Sequence, residues 1–226
     1  MPPDPGLRCL DLQLPLSRVL LPLRLTLPTD ACGLVLFVHG SGSNRFSQRN
    51  QAVSTVLQHA HLATVLFDLL TDAEQQHPTS QTPDLMELSR RLLAMIEVLQ
   101  SPEANDLAPD ADLAALPLGL FGSSSGAAVA LAAASQPQAP VQAIVSRGGR
   151  PDLVSACLGQ VHCPTLLMVG SHDVDVLELN TWAAARLQGI HELRVVPGAG
   201  HLFAEPGALD QAALWSQEWF LRHLRP

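Results

Sequence analysis

Two different spacings of apolar residues divide the chain. Leu10, Leu12 and Leu14 alternate with Asp11 and Gln13, and Leu21, Leu23, Leu25 and Leu27 alternate again after Pro15 and Ser17. A period of two buries one face of each segment, so the N-terminal stretch reads as an antiparallel hairpin. From residue 34 the apolar positions become continuous, over residues 34–38, 63–67, 118–121, 143–145 and 165–169. Strands without a polar side are those of a parallel sheet covered on both faces. Helices are predicted between and after them over about residues 47–60, 83–100, 125–135, 178–188 and 207–224, with Asp84 and Glu178 near helix starts, where the dipole favours an acid. Residues 192–196 supply one further strand.

Alternating strands and helices imply right-handed crossovers and a mostly parallel sheet of about eight strands with helices on both faces. The ligand crevice of such a sheet lies at the carboxyl ends of its strands. The loop over 71–82 is polar, and that over 101–117 carries Pro102, Asn105, Asp106, Pro109, Asp110 and Asp112, the composition of a solvated surface excursion. Between residues 145 and 165 there is room for a turn of helix near 152–157 but not for a lid domain, so the crevice is expected to be open. Residues 1–226 thus read as a single α/β domain without internal repeats.

Composition narrows the chemistry. With 47% apolar and 15% charged residues the chain is not disordered, and no uncharged apolar run approaches the roughly 18 residues that span a bilayer. All 13 basic residues are Arg and Tyr is absent, which excludes a Schiff-base Lys, a P-loop Lys and a Tyr/Lys proton relay. A formal charge of −8 disfavours nucleic acid as a partner. Cys9, Cys32, Cys157 and Cys163 are widely spaced, so they read as free thiols rather than a disulfide framework. Met1-Pro2-Pro3-Asp4-Pro5 lacks the basic start of a secretory signal, and a cytoplasmic location is expected.

Gly122-Ser123-Ser124-Ser125-Gly126 lies between a predicted strand and an Ala-rich helix, the setting of a nucleophile elbow with Ser124 as nucleophile. The chain turns so sharply there that residues two before and two after the serine crowd each other, and glycine fits both places. A serine hydroxyl needs a base and a carboxylate that fixes the base. Asp173 and His201 follow in the required order, each in a loop just beyond a predicted strand. Asp175 competes with Asp173 but lies farther from the strand end and suits a helix cap, while His172 reads as a turn neighbour. Donors for a developing oxyanion are expected from the backbone N–H of Ser125, after the nucleophile, and of Ser41 in His39-Gly40-Ser41-Gly42-Ser43.

With these residues the chain resembles the α/β-hydrolase superfamily, and within it dienelactone-hydrolase-like bacterial hydrolases, some of which are fused to phosphoribosyltransferase-like domains. The resemblance covers nearly the whole chain. It is carried by His39-Gly40-Ser41-Gly42-Ser43-Asn44-Arg45, Phe67-Asp68-Leu69-Leu70-Thr71, Gly122 to Gly126, Ser146-Arg147-Gly148-Gly149-Arg150-Pro151-Asp152-Leu153, Gly170 to Asp173 and Gly200-His201-Leu202-Phe203. It implies hydrolysis through an acyl-enzyme by Ser124, Asp173 and His201, with neither metal nor organic cofactor. One departure is Ser124 itself, since dienelactone hydrolases proper carry Cys at the elbow, so their lactone substrate does not carry over with the fold.

Arg45, Arg49, Arg147 and Arg150 border the predicted crevice and would either bind an acidic substrate or brace loops by pairing, as Arg147 or Arg150 could with Asp152 or Asp68. The leading expectation is a serine esterase acting on a small ester, thioester or lactone as a monomer or homodimer. An acyltransferase using the same triad and a catalytically idle scaffold with a binding role are the alternatives.

Overall fold

Eight strands form one sheet in the order β1-β2-β4-β3-β5-β6-β7-β8. They are β1 (Leu7–Leu16), β2 (Val19–Pro28), β3 (Gly33–Val38), β4 (Leu62–Phe67), β5 (Leu118–Ser123), β6 (Val141–Arg147), β7 (Thr165–Gly170) and β8 (His191–Val196). The computed structural model describes residues 6–16, 19–76, 83–109 and 111–225; the readings made on residues 1–5, on Ser17, on 77–82 of the polar loop and on Asp110 lie outside the described residues. β1 pairs antiparallel with β2, and β2 with β4; every other pairing is parallel.

The two apolar spacings have the consequences they imply. Leu14, Leu21, Leu23 and Leu25 are buried on one side of the hairpin, while β3, β4, β5 and β7 are buried along their whole lengths. Two apolar layers flank the sheet. On one face α1 (Gln48–His59) and α7 (Ala208–His223) pack over Phe37, Phe121, Trp219 and Phe220. On the other, α3 (Leu85–Leu99), α5 (Ser125–Ala134) and α6 (Val174–Ala184) cover the layer that holds Leu34, Leu36, Leu120 and Leu131. This is the α/β-hydrolase fold expected from the sequence, with its N-terminal antiparallel hairpin.

The crossover from β4 opens on the short helix α2 (Asp72–Gln76), and α3 is started by Asp84, whose Oδ1 accepts from the Glu87 N–H at 2.8 Å. Segment 101–117 differs from the solvated excursion read from its polar residues. It contains α4 (Ala104–Leu107) and a 3₁₀ turn Leu113–Ala115, with Ala104, Ala108 and Leu113 fully buried. Interleaved small apolar residues dock the segment, and Gln100 Nε2 donates to the Leu113 and Leu116 carbonyls at 3.4 and 3.2 Å.

α6 also starts earlier than expected, at Val174, so Glu178 lies within the helix rather than at its start. Two β-branched valines in the first turn lower local propensity, but closure of the chain directly off β7 overrides that preference. Between β6 and β7 the described insertion is a 3₁₀ stretch, Pro151–Gln160, and not a lid domain. Register brings Val38 opposite Gly122, Ser123 opposite Arg147 and Gly170 opposite Val196, so the carboxyl ends of β3, β5, β6, β7 and β8 line one edge of the sheet.

Candidate active site

Ser124 is the hinge between β5 and α5, and its backbone is forced to φ 53° and ψ −126°, a conformation that residues with a side chain rarely adopt. The cause is steric confinement. A Cβ on Gly122 would lie 2.4 Å from Ala127 Cα, and one on Gly126 would lie 2.2 Å from the Val38 carbonyl oxygen. Neighbouring backbone holds the turn closed, since the Ser124 N–H donates to Arg147 O at 3.1 Å and the Ser124 carbonyl accepts from the Arg150 N–H at 3.2 Å. These bonds leave the hydroxyl pointing out of the sheet edge toward the loops after β7 and β8.

His201, in the loop after β8, meets it there. Its Nε2 is 3.3 Å from Ser124 Oγ and its Nδ1 is 2.6 Å from Asp173 Oδ2. Because a carboxylate oxygen accepts, Nδ1 carries the proton and Nε2 presents its lone pair to the hydroxyl. Asp173 sits immediately before α6 yet makes no capping bond with its side chain, so the carboxylate is left for the imidazole. The two loops are stitched together by the His172 N–H, which donates to Ala199 O at 2.9 Å, while the His172 ring is exposed. Asp175, the second residue of α6, is exposed, and the His201 Nδ1 is bonded to Asp173 instead.

The two residues expected to supply backbone donors lie side by side. Ser125 is the first residue of α5, where amides have no acceptor within the helix. Ser41 follows β3 and faces it so closely that its N–H donates to Ser125 Oγ at 2.9 Å, with the two hydroxyl oxygens 3.0 Å apart. This side-chain bond was not anticipated from the sequence. His39 anchors the same loop from beneath: its Nε2 accepts from the Leu69 N–H at 3.0 Å and its Nδ1 donates to Gly40 O at 3.0 Å. Burial pushes this imidazole below its ordinary pKa and keeps it neutral.

Three of the four arginines take distinct places, and Arg49 lies half-buried in the first turn of α1. Arg45 grips the buried Asp68 with its guanidinium and with its own N–H, and Arg150 makes a two-pronged pair with Asp152 at 2.8 Å. Pairing is therefore the outcome for both, with Arg45 rather than Arg147 or Arg150 taking Asp68. Arg147 is buried without a carboxylate partner among the described residues, near the Phe121 and Phe203 rings at 5.9 and 5.7 Å, and 3.5 Å from Asn50 Oδ1. Burial first, and the nearby Arg49 second, push its pKa down to about 10.

A cavity of about 570 Å³ opens beside Ser41 and Ser125. Leu69, Leu70, Leu85, Leu88, Val129 and Leu153 form its apolar wall, and Glu74 stands on its rim in a two-pronged pair with Arg91 at 2.7 and 2.8 Å. Sequence reasoning missed this wall, because Leu85 and Leu88 carry the same spacing as the core positions Leu92, Met95 and Leu99 of α3. Among the described residues no group of three His, Cys, Asp or Glu side chains is placed to hold a metal ion. None of the described helices is long and apolar enough to cross a membrane.

Comparison with known proteins agrees with this fold. A dienelactone hydrolase from Anabaena variabilis is 40% identical, superimposes with a TM-score of 0.89, and is matched over 97% of this chain and 100% of its own. The chain belongs to the dienelactone hydrolase family. Two curated Mycobacterium tuberculosis proteins, each named "Putative phosphoribosyl transferase", are 47% identical over 221 residues, which is 98% of this chain and 48% of theirs. The chain thus spans about half the length of the curated relatives it matches. Est1E from Butyrivibrio proteoclasticus, at 15% identity and a TM-score of 0.76 over 94% of this chain and 98% of its own, shares the fold. So does P91, a dienelactone hydrolase-like promiscuous phosphotriesterase from metagenomic libraries, at 15% identity and a TM-score of 0.75 over 97% of this chain and 99% of its own. No protein-family model matches the sequence.

Proposed function

We propose that the chain is a serine hydrolase that cleaves an ester, thioester or lactone of a small molecule through an acyl-enzyme, with neither metal nor organic cofactor. The observation that carries this reading is the hydrogen-bonded series from Asp173 through His201 to a Ser124 held in a strained turn. Ser124 Oγ attacks the carbonyl carbon while His201 Nε2 takes the hydroxyl proton, and Asp173 stabilises the imidazolium through Nδ1–H. The carbonyl oxygen, now negative, is held by the Ser125 and Ser41 amides, which requires the Ser125 hydroxyl to turn off the Ser41 N–H. The leaving oxygen departs with the proton from Nε2. Water then attacks the acyl-enzyme, giving one proton to Nε2, and collapse returns it to Ser124 Oγ as the acid leaves.

The same reading assigns the chain to one α/β-hydrolase domain over residues 1–226, acting in the cytoplasm on a small-molecule substrate as a monomer or homodimer. Labelling by a fluorophosphonate, together with ester turnover, tests it. Both are expected in the wild type and absent from Ser124→Ala, whose thermal midpoint stays close to that of the wild type because only a hydroxyl is removed. Turnover retained by Ser124→Ala would remove the assignment, and absence of labelling in the folded wild type would favour an idle binding scaffold.

A further inference from the structure

In the proposed reaction the two halves of the substrate have separate places. The leaving oxygen takes its proton from His201 Nε2 and so lies toward the loops after β7 and β8, whereas the carbonyl oxygen lies at the Ser41 and Ser125 amides. The 570 Å³ cavity adjoins those amides, and no residue of the loops bearing Asp173 and His201 contributes to its lining. This placement directs the acyl group, rather than the leaving group, toward it. His201, with a side chain 38% accessible, leaves the other half facing solvent.

The cavity's charge is equally one-sided. Among the described residues its ionisable lining consists of the neutral His39 and of Glu74, whose carboxyl the Arg91 guanidinium holds down at about 2. None of Arg45, Arg49, Arg147 and Arg150 lines it. A carboxylate on the acyl chain would lose water against leucine and valine, find no cation among the described lining residues, and meet a Glu74 whose partner Arg91 is already taken up in their two-pronged pair. A cavity of this volume falls in the range of small-ligand pockets and accepts a medium alkyl or aryl chain.

We infer that this site selects its substrate by an uncharged, apolar acyl group seated against Leu69, Leu70, Leu85, Leu88, Val129 and Leu153, and discriminates little among leaving groups; the inference rests on the serine-hydrolase reading above. Buried methylenes set the slope: kcat/KM rises about two- to fourfold per carbon along p-nitrophenyl esters from acetate to hexanoate. The adipate monoester, which matches hexanoate in length but ends in a carboxylate, is turned over at least about 100-fold less well. Ethyl, butyl and octyl hexanoates differ by less than about threefold.

Leu153 is 47% exposed, so Leu153→Arg sets a guanidinium at the cavity wall without burying it. It is expected to shift the adipate-to-hexanoate ratio at least about tenfold toward adipate. Fluorophosphonate labelling of Ser124 is measured on the same samples. Labelled enzyme that hydrolyses adipate monoester as well as hexanoate, or whose ratio is unmoved by Leu153→Arg, overturns the acyl assignment alone. Enzyme that neither labels nor turns over any ester overturns the reading beneath it as well.

Discussion

Gly126→Ala is a single methyl group added outside the reacting series, and its effect follows from coordinates. The new Cβ would stand 2.2 Å from the Val38 carbonyl oxygen and 2.4 Å from that of His39, both backbone atoms with nowhere to swing. Ordinary contact requires α5 and the end of β3 to part by about 1 Å. Overpacking of that kind costs about 1–3 kcal/mol in stability. The catalytic cost is larger, because the residues displaced are the ones that carry the Ser41 amide, and a misplacement of about 1 Å lowers kcat by roughly 100-fold. Urea unfolding and hexanoate-ester kinetics read the two effects on the same preparation. Gly159→Ala is the control, since nothing lies within 4 Å of its added Cβ, and it is expected to match the wild type. A Gly126→Ala enzyme with wild-type kcat and stability would refute the claim that close approach of β3 to the elbow sets the amide geometry.

Asp173→Asn is expected to lower kcat by about 10⁴-fold through a misoriented imidazole while Asp175→Asn changes it little, so the reverse ranking in steady-state assays would move the carboxylate role. Arg147→Ala should cost about 2–4 kcal/mol in chemical denaturation, through lost packing on Phe121 and Phe203, and leave the adipate-to-hexanoate ratio unchanged. A ratio that moved would return Arg147 to the substrate. Glu74 ionises at about 2 in the folded chain and near its ordinary value of 4.5 when unfolded, so its pair with Arg91 contributes fully above 4.5 and is lost as pH falls toward 2. Glu74→Gln should therefore be less stable by about 2 kcal/mol at pH 7, with the difference closing between those two values in a pH series of denaturation curves.

Much of the frame was legible because its cause is local in the chain. Alternating leucines set the hairpin, unbroken apolar runs set the doubly covered strands, and the Gly-x-Ser-x-Gly spacing between strand and helix fixed the place of Ser124. The converging partners Asp173 and His201 were legible because each follows the end of a strand whose order in the sheet the crossover rule constrains. What stayed hidden depends on contacts across the fold. No pattern around Arg147 tells that it lies near two rings rather than in a crevice, since the Phe203 that covers it comes from a loop 56 positions later. Leu85 and Leu88 likewise have the periodicity of core residues, and only the position of α3 relative to α5 turns that first helical turn into a cavity wall. The early start of α6 was missed because valine in a first turn argues locally against a helix that tertiary closure then imposes.

The order of the strands has a consequence for how such a protein can diversify. Ser124, Asp173 and His201 follow β5, β7 and β8 and belong to the later part of the chain, whereas Leu69, Leu70, Leu85 and Leu88 belong to the crossover that leaves β4. Most of the recognition wall and the whole reacting series are thereby written in different stretches of one gene, Val129 and Leu153 being the exceptions, and they meet at the sheet edge. An exchange of the segment between β4 and β5 among relatives would replace four of the wall's six apolar residues without touching a reacting atom, so that new acyl preferences could be inherited as a cassette while the chemistry descends unaltered.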